Sequence, residues 1–334
     1  GAKALSGKAL SGQSTLPNHI IRSLTAFLKD KDMGTRSSAA FALRGQSVLP
    51  KETLESLVLL LKDKEYAAAY TLERQPALPG EVLESLAILL KDSGTRSAAA
   101  FALSGQASLP KGILEFLVLL LQDKDSGMSL SAAYAFQRQS TLPREIFDSL
   151  TSLLKESDVR RSAAYALGGQ ASLPKWILET LVLLLKDEEW NTGYAAAYTL
   201  ERQLALPREI VGFLALLLQD RSWGPPSFAA YALGGQKALS ERILESLVLL
   251  LKDGNTSTRP SAAYALGAQS ALPEGILESI ALLLKDEDKD VRSSAASALC
   301  DQSSLLADSC RNIGFGDSRL RWCIDKRHGV SRID

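Results

Sequence analysis

The stretch SAAYALGAQSALPEGILESIALLLKD, residues 261–286, decides how the whole chain is read. It opens on an alanine-rich segment ending at Gln269 and crosses a short link at Leu272 and Pro273. It then enters an apolar segment closed by Asp286. Outward from it, in both directions, the same phrase returns. Its glutamine recurs at Gln13, Gln46, Gln75, Gln106, Gln139, Gln170, Gln203, Gln236, Gln269 and Gln302. Six of the nine spacings are 33 residues, and the three short ones end at Gln75, Gln106 and Gln170. A period between about 20 and 50 residues marks an array of stacked supersecondary units. The spacing therefore predicts one elongated array rather than independent domains.

Each unit reads as two helices. The first is predicted to open at Pro50, Pro79, Pro110, Pro143, Pro174, Pro207 or Pro273. Proline suits a first helical position, where its missing N–H would lack a partner anyway. The run ends at an acidic residue: Asp30, Asp63, Asp92, Asp123, Glu156, Asp187, Asp220, Asp253 or Asp286. The second helix ends at the glutamine. Its small pair (Ala39 and Ala40, Ala163 and Ala164, Ala262 and Ala263) lets backbones approach closely, and Leu43, Leu167 and Leu266 supply core contacts. All three shortenings fall between the acidic residue and the alanine pair. Loops and first turns absorb deletions that packed faces do not.

These residues resemble HEAT repeats. The marks are an Asp closing the first helix, then an Arg, then the alanine pair and Leu, as in Asp30/Arg36, Asp253/Arg259 and Asp286/Val291/Arg292. Shortened units give Asp92/Arg96 and Glu156/Arg160, whereas Ser129, Gly193 and Pro226 stand at the Arg position elsewhere. The resemblance implies an all-α solenoid, a right-handed superhelix of antiparallel helix pairs, with an Asp–Arg ladder along it. Second helices would line the concave face. The phrase RSSAA-AL--QS-LP--IL-SL--LLKD is similar, more narrowly, to the C-terminal arrays of NACHT-type (STAND) signalling NTPases of filamentous fungi. That likeness implies a ligand-sensing fragment of a longer protein, in keeping with a start at Gly1 inside a partial repeat.

Five residues before the glutamine stands an aromatic: Phe41, Tyr70, Phe101, Tyr134, Tyr165, Tyr198, Tyr231 and Tyr264, with Ser297 breaking the series. At 100° per residue Phe41 lies far from the direction shared by Ala39, Ala42, Leu43 and Gln46, beside Ser37 and Arg44. Two readings stand together. The rings lie half-buried across neighbouring helices, or they form a concave stripe that binds a protein or peptide. Tyr favours the second, because it offers large contact area, little entropy loss and a polar tip. Flanking charges are mixed: Arg44, Glu73, Arg74, Arg138, Glu201 and Arg202.

Trp190 and Trp223 follow Asp187 and Asp220 by three residues, with Tyr66 in the matching place of a shortened unit. They are candidate edge anchors, or turn residues that pack. The glutamines are expected to satisfy orphan backbone groups of the turn into the next Leu-Pro. A second apolar row, nine residues after each Pro, comprises Leu59, Ile88, Leu119, Leu183, Leu216, Leu249 and Leu282. It is expected to be partly covered by neighbouring first helices; the alternative is a convex contact surface through which a scaffold self-associates.

Enzymatic function finds no support. His19 and His328 lack acidic or nucleophilic partners at a telling spacing, and the repeated His-Glu pairs of HEAT-like hydroxylases are absent. Lys and Arg total 38 and Asp and Glu 38, so no net field attracts nucleic acid or an anionic membrane. Three cysteines, none recurring with the repeat, and no apolar run long enough to span a bilayer, suggest a cytoplasmic protein without a disulfide framework. The expected organisation is a partial repeat over 1–13 and a solenoid of about nine helix pairs over 14–302. A non-repeat tail over 303–334, disordered or poorly packed, follows it. The expected function is non-enzymatic protein or peptide binding, with no cofactor, no metal and no nucleic-acid or membrane partner.

Overall fold

The computed structural model describes residues 16–300 apart from 124, 125, 221, 255 and 256. The described residues form 18 helices and no strand. Their contacts divide the chain into two compact units, Gly1–Gln170 and Ala171–Asp334. The first unit holds α1 (Asn18–Phe27), α2 (Met33–Leu43), α3 (Lys51–Lys62), α4 (Tyr66–Glu73) and α5 (Gly80–Leu89). It continues with α6 (Arg96–Leu103), α7 (Lys111–Leu121), α8 (Ser126–Gln137), α9 (Arg144–Leu153) and α10 (Arg160–Leu167). The second unit holds α11 (Lys175–Leu184), α12 (Trp190–Glu201), α13 (Arg208–Leu217) and α14 (Pro225–Leu233). It ends with α15 (Glu241–Leu250), α16 (Thr258–Gly267), α17 (Glu274–Leu283) and α18 (Lys289–Cys300). Odd numbers are the first helices of the repeat and even numbers the second. The partial repeat over 1–13 and the tail over 303–334 lie outside the described residues.

In each unit the even helices stack in order: α2, α4, α6, α8 and α10 in one, α12, α14, α16 and α18 in the other. The alanine pairs make that stack close. Ala39 and Ala40, Ala163 and Ala164, and Ala262 and Ala263 are all buried, as are Leu43, Leu167 and Leu266. Each odd helix lies against its even partner and touches the next odd helix more sparsely, as α1 does α3 and α11 does α13. The three shortened repeats lose the first turn of the second helix: α4, α6 and α10 have 8 residues, against 12 in α8 and α12. The packed alanine end is untouched.

Proline precedes the first helices rather than starting them. Pro50, for example, is the N-cap of α3, with φ −57° and ψ 148°, an extended conformation that the ring enforces on φ and the helix excludes on ψ. Its carbonyl still accepts from the Leu54 N–H at 3.1 Å. The residue thus closes the link and begins the hydrogen-bond ladder together.

The glutamines tie successive repeats. In the first unit Gln106 Nε2 donates to the Gln75 carbonyl at 2.9 Å, and its Oε1 accepts from the Leu78 N–H at 2.8 Å. Gln75 and Gln139 make the same two bonds to Gln46 and Leu49, and to Gln106 and Leu109. In the second unit Gln236 and Gln269 repeat them on Gln203 and Leu206, and on Gln236 and Leu239. The turn satisfied is therefore the preceding repeat's, not the glutamine's own as the sequence suggested. A primary amide has both donor and acceptor, so one side chain closes both orphan groups of a buried link.

The Asp–Arg ladder takes a different form from the one expected. Arg36 Nη1 donates to the carbonyls of Asp30 and Lys31, at 2.9 and 3.0 Å, so it closes the turn between α1 and α2. Its Nε meets Glu65 of the next repeat at 2.6 Å. Arg96 reaches Asp123 at 3.2 Å, and Arg259 reaches Asp288 at 3.0 Å, again one repeat onward. Four of the acidic residues that close first helices serve their own turns: Asp30, Asp187, Asp220 and Asp286 each accept an N–H two residues on. Glu65 occupies the Arg position of its shortened repeat, and is buried because Arg36 neutralises it.

Candidate functional site

The aromatic column lies on the second-helix faces and none of its rings is buried. In the first unit Phe41, Tyr70 and Tyr134 are 42%, 40% and 48% exposed, while Phe101 and Tyr165 are half-buried. Tyr70 meets Phe101 edge-on with centroids 4.8 Å apart. Arg44 stands over the Tyr70 ring, its Cζ 5.3 Å from the centroid, with a buried Nε that has no hydrogen-bond partner. The π face takes the place of a polar partner there.

In the second unit Tyr198 and Tyr231 are half-buried and Tyr264 is exposed. Tyr231 stacks on Tyr264 at 5.3 Å between centroids and meets Tyr194 at a tilt, 5.7 Å away. Tyr194 was missed in the sequence. It is exposed and stands four residues before Tyr198 on α12, which puts both on one helix face, so a helical wheel of that repeat would have found it. The Tyr264 hydroxyl donates to Glu201 Oε1 at 2.6 Å, reaching from α16 back to the end of α12.

Two adjacent glycines make that reach possible. A Cβ on Gly234 would lie 2.4 Å from Tyr264 Cε1, and one on Gly235 would lie 1.7 Å from the Glu201 carbonyl oxygen. The ring therefore lies flat across α14 where any side chain would lift it. Burial first, and then the Glu201 carboxylate, push the Tyr264 phenol up to about 12. Burial, with Tyr194 and Glu201, raises the Tyr231 phenol further. Both phenols are neutral donors at physiological pH. The faces consequently offer apolar ring area with hydroxyl tips, flanked by charges of both signs.

The two tryptophans form one cluster rather than two separate anchors. Trp190, half-buried at the start of α12, packs at a tilt against Trp223 and Phe228, with centroids 4.4 Å away in each case. Phe228 is buried and presses on Gly193, whose Cβ would lie 2.4 Å from its ring. Gly224, at φ 116°, turns the chain beneath the cluster. Gly193 and Pro226 stand where other repeats have the turn-closing Arg, so rings replace the cation here. Trp223 is the exposed member, at 68%. Tyr66 joins no such cluster among the described residues; it is an exposed first residue of α4.

The first-helix row corrects an expectation. Leu59, Ile88, Leu119, Leu183, Leu216, Leu249 and Leu282 are 56% to 73% exposed, not partly covered by neighbouring first helices. Odd helices touch one another too sparsely to bury it. His19 is exposed, and no group of His, Cys, Asp or Glu that could hold a metal ion occurs among the described residues. No helix among them is long and apolar enough to cross a membrane.

No protein-family model matches the chain. No curated protein matches it either. Among solved structures, an engineered protein aligns at 22% identity over 91% of this chain and 97% of its own, with a TM-score of 0.37. A second match comes from a complex in which Kap95p binding induces the switch loops of RanGDP to adopt the GTP-bound conformation. It aligns at 15% identity over 91% of this chain with a TM-score of 0.52, and this chain spans about half (48%) of that neighbour's length. With the stacking of paired helices, that likeness makes the fold an all-α helical-repeat solenoid.

Proposed function

We propose that the chain is a non-enzymatic binding scaffold that recognises a protein or peptide through its second-helix faces. The contact residues would be Phe41, Tyr70, Phe101, Tyr134 and Tyr165 in one unit and Tyr198, Tyr231 and Tyr264 in the other. Trp223 would add an edge contact in the second unit. The observation that carries this reading is the accessibility of the whole ring column. Rings serving packing alone would be sealed, and an exposed row at fixed spacing is what a docking segment can read. The solved neighbour, a solenoid structure from a complex of Kap95p with RanGDP, supports protein recognition by such a frame. The resemblance in the repeat phrase extends the reading to the sensor array of a cytoplasmic NACHT-type signalling NTPase. In that role the array would select its ligand by ring and charge pattern. Mixed flanking charge argues for a peptide partner over nucleic acid.

The test is selection of peptides from a random display library on the intact chain. Selected peptides should lose at least about tenfold in affinity when Tyr134 and Tyr264 are both replaced by Ala, with helicity by circular dichroism unchanged. Peptides that bind the substituted chain equally well would place recognition elsewhere.

A further inference from the structure

The first helices of the second unit present three parallel columns. The middle one is Leu183, Leu216, Leu249 and Leu282, each 66% to 73% exposed. Four residues earlier stand Glu179, Gly212, Glu245 and Glu278, and three residues later Lys186, Gln219, Lys252 and Lys285; all of these are exposed. The first two columns share one helix face, and the third stands in the turn, two residues after each helix ends. Glu179, Glu245, Glu278, Lys252 and Lys285 make no ion pair among the described residues, while Lys186 meets Asp220 at 3.2 Å. The helix macrodipole favours acid early and base late in any helix. It gives no reason for an uncovered leucine between them, four times in succession.

The charges also co-vary within each repeat. At these positions α11, α15 and α17 are each flanked by an acid and a base, whereas α13 is flanked by Gly212 and Gln219; its Arg208 and Glu209 stand in its first turn, outside those columns. We infer that this face docks a second copy of the chain, with the two-fold axis running along the leucine column. Rotation about that axis sets each helix antiparallel to its own copy. Leucines then meet leucines, Glu179 faces the other copy's lysine at 186, Glu245 faces 252, Glu278 faces 285, and the neutral positions of α13 face each other. A two-fold axis parallel to the helices would instead set acid against acid. Only the first arrangement is self-complementary, as an isologous interface must be. The first unit does not offer the same face: Ala26 and Ser152 interrupt its row, and Gln122 leaves Glu115 without a base. The twelve positions are fewer than the roughly 20–30 residues a side of a standard interface. The dimer is accordingly reversible, with a dissociation constant of about micromolar order.

Sedimentation velocity of the intact chain over roughly 1 to 100 µM reads this directly. The expected result is a monomer–dimer equilibrium that L216E plus L249E weakens at least about 100-fold with unchanged helicity by circular dichroism. E245K and K252E should each weaken it about tenfold, and an equimolar mixture of the two should recover the wild-type constant. The charge variants keep the test decisive should the leucine variant fold poorly. A chain monomeric at 100 µM, a dimer indifferent to the leucine substitutions, open-ended oligomers, or a mixture no tighter than its components would each overturn the inference. Tyr134→Ala with Tyr264→Ala should leave the dimer intact, which separates this face from the ring column.

Discussion

The Tyr264 hydroxyl and the Glu201 carboxylate, 63 residues apart in sequence, are joined at 2.6 Å over the paired glycines that end α14. One hydrogen bond therefore spans three second helices and holds an exposed ring in a fixed attitude. Such a ring can act as a preorganised contact, because its rotamer entropy is already lost before a partner arrives.

That bond carries a signature in alkali. The Tyr264 phenol is raised from 10 to about 12, by burial and then by Glu201. A raised folded-state value favours the neutral form, so its stabilisation is complete below about pH 10 and is lost as pH climbs towards about 12. Phenolate absorbance should show one fewer late-titrating group in Tyr264→Phe than in wild type. The midpoint difference between the two proteins should close across the same window. A Tyr264 that titrates near 10 would refute the bond.

The glutamine ladder predicts a large effect from a small polar change. Gln106→Ala removes the partners of the Leu78 N–H and the Gln75 carbonyl, both buried in the link. Two unsatisfied buried groups cost roughly 2–6 kcal/mol, measurable as a drop in the urea midpoint. A loss below about 0.5 kcal/mol would mean that water replaces the amide.

Helix α8 sets two rings two residues apart against each other. Phe136 is fully buried and Tyr134 is 48% exposed. Truncating Phe136 to Ala should cost about 3–5 kcal/mol, and Tyr134→Ala only about 1 kcal/mol. Equal losses in denaturant titrations would show the column to be structural and would remove the proposed recognition face.

Gly193→Ala should destabilise by about 1–3 kcal/mol, since its Cβ falls 2.4 Å from the Phe228 ring. Phe228→Ala in the same chain should abolish most of that increment, though it carries its own cavity cost. A double-mutant cycle with no coupling would contradict the packing of rings against that glycine.

Much of the frame was legible because periodicity encodes it. The alanine pairs, the leucines behind them and the acidic closures recur in fixed register, and stacking identical units has few solutions. The ring column was equally legible by its offset, as was its avoidance of the buried face. Tyr194 was not, because it breaks the repeat rather than following it. The leucine row was misjudged for the opposite reason. Partial cover by neighbouring first helices was expected, yet a repeated pattern does not say how near the next first helix comes.

By itself, then, the order of residues determined that the chain is all helical, paired and repetitive, since local hydrophobic pattern and link chemistry act within one repeat. Tertiary structure alone decided which neighbour each side chain serves. Gln106 satisfies the link before it, Arg36 neutralises the repeat after it, and Tyr264 passes over one helix to reach another. Those choices depend on distances between stacked helices, and such distances are set by packing volumes that no single repeat contains.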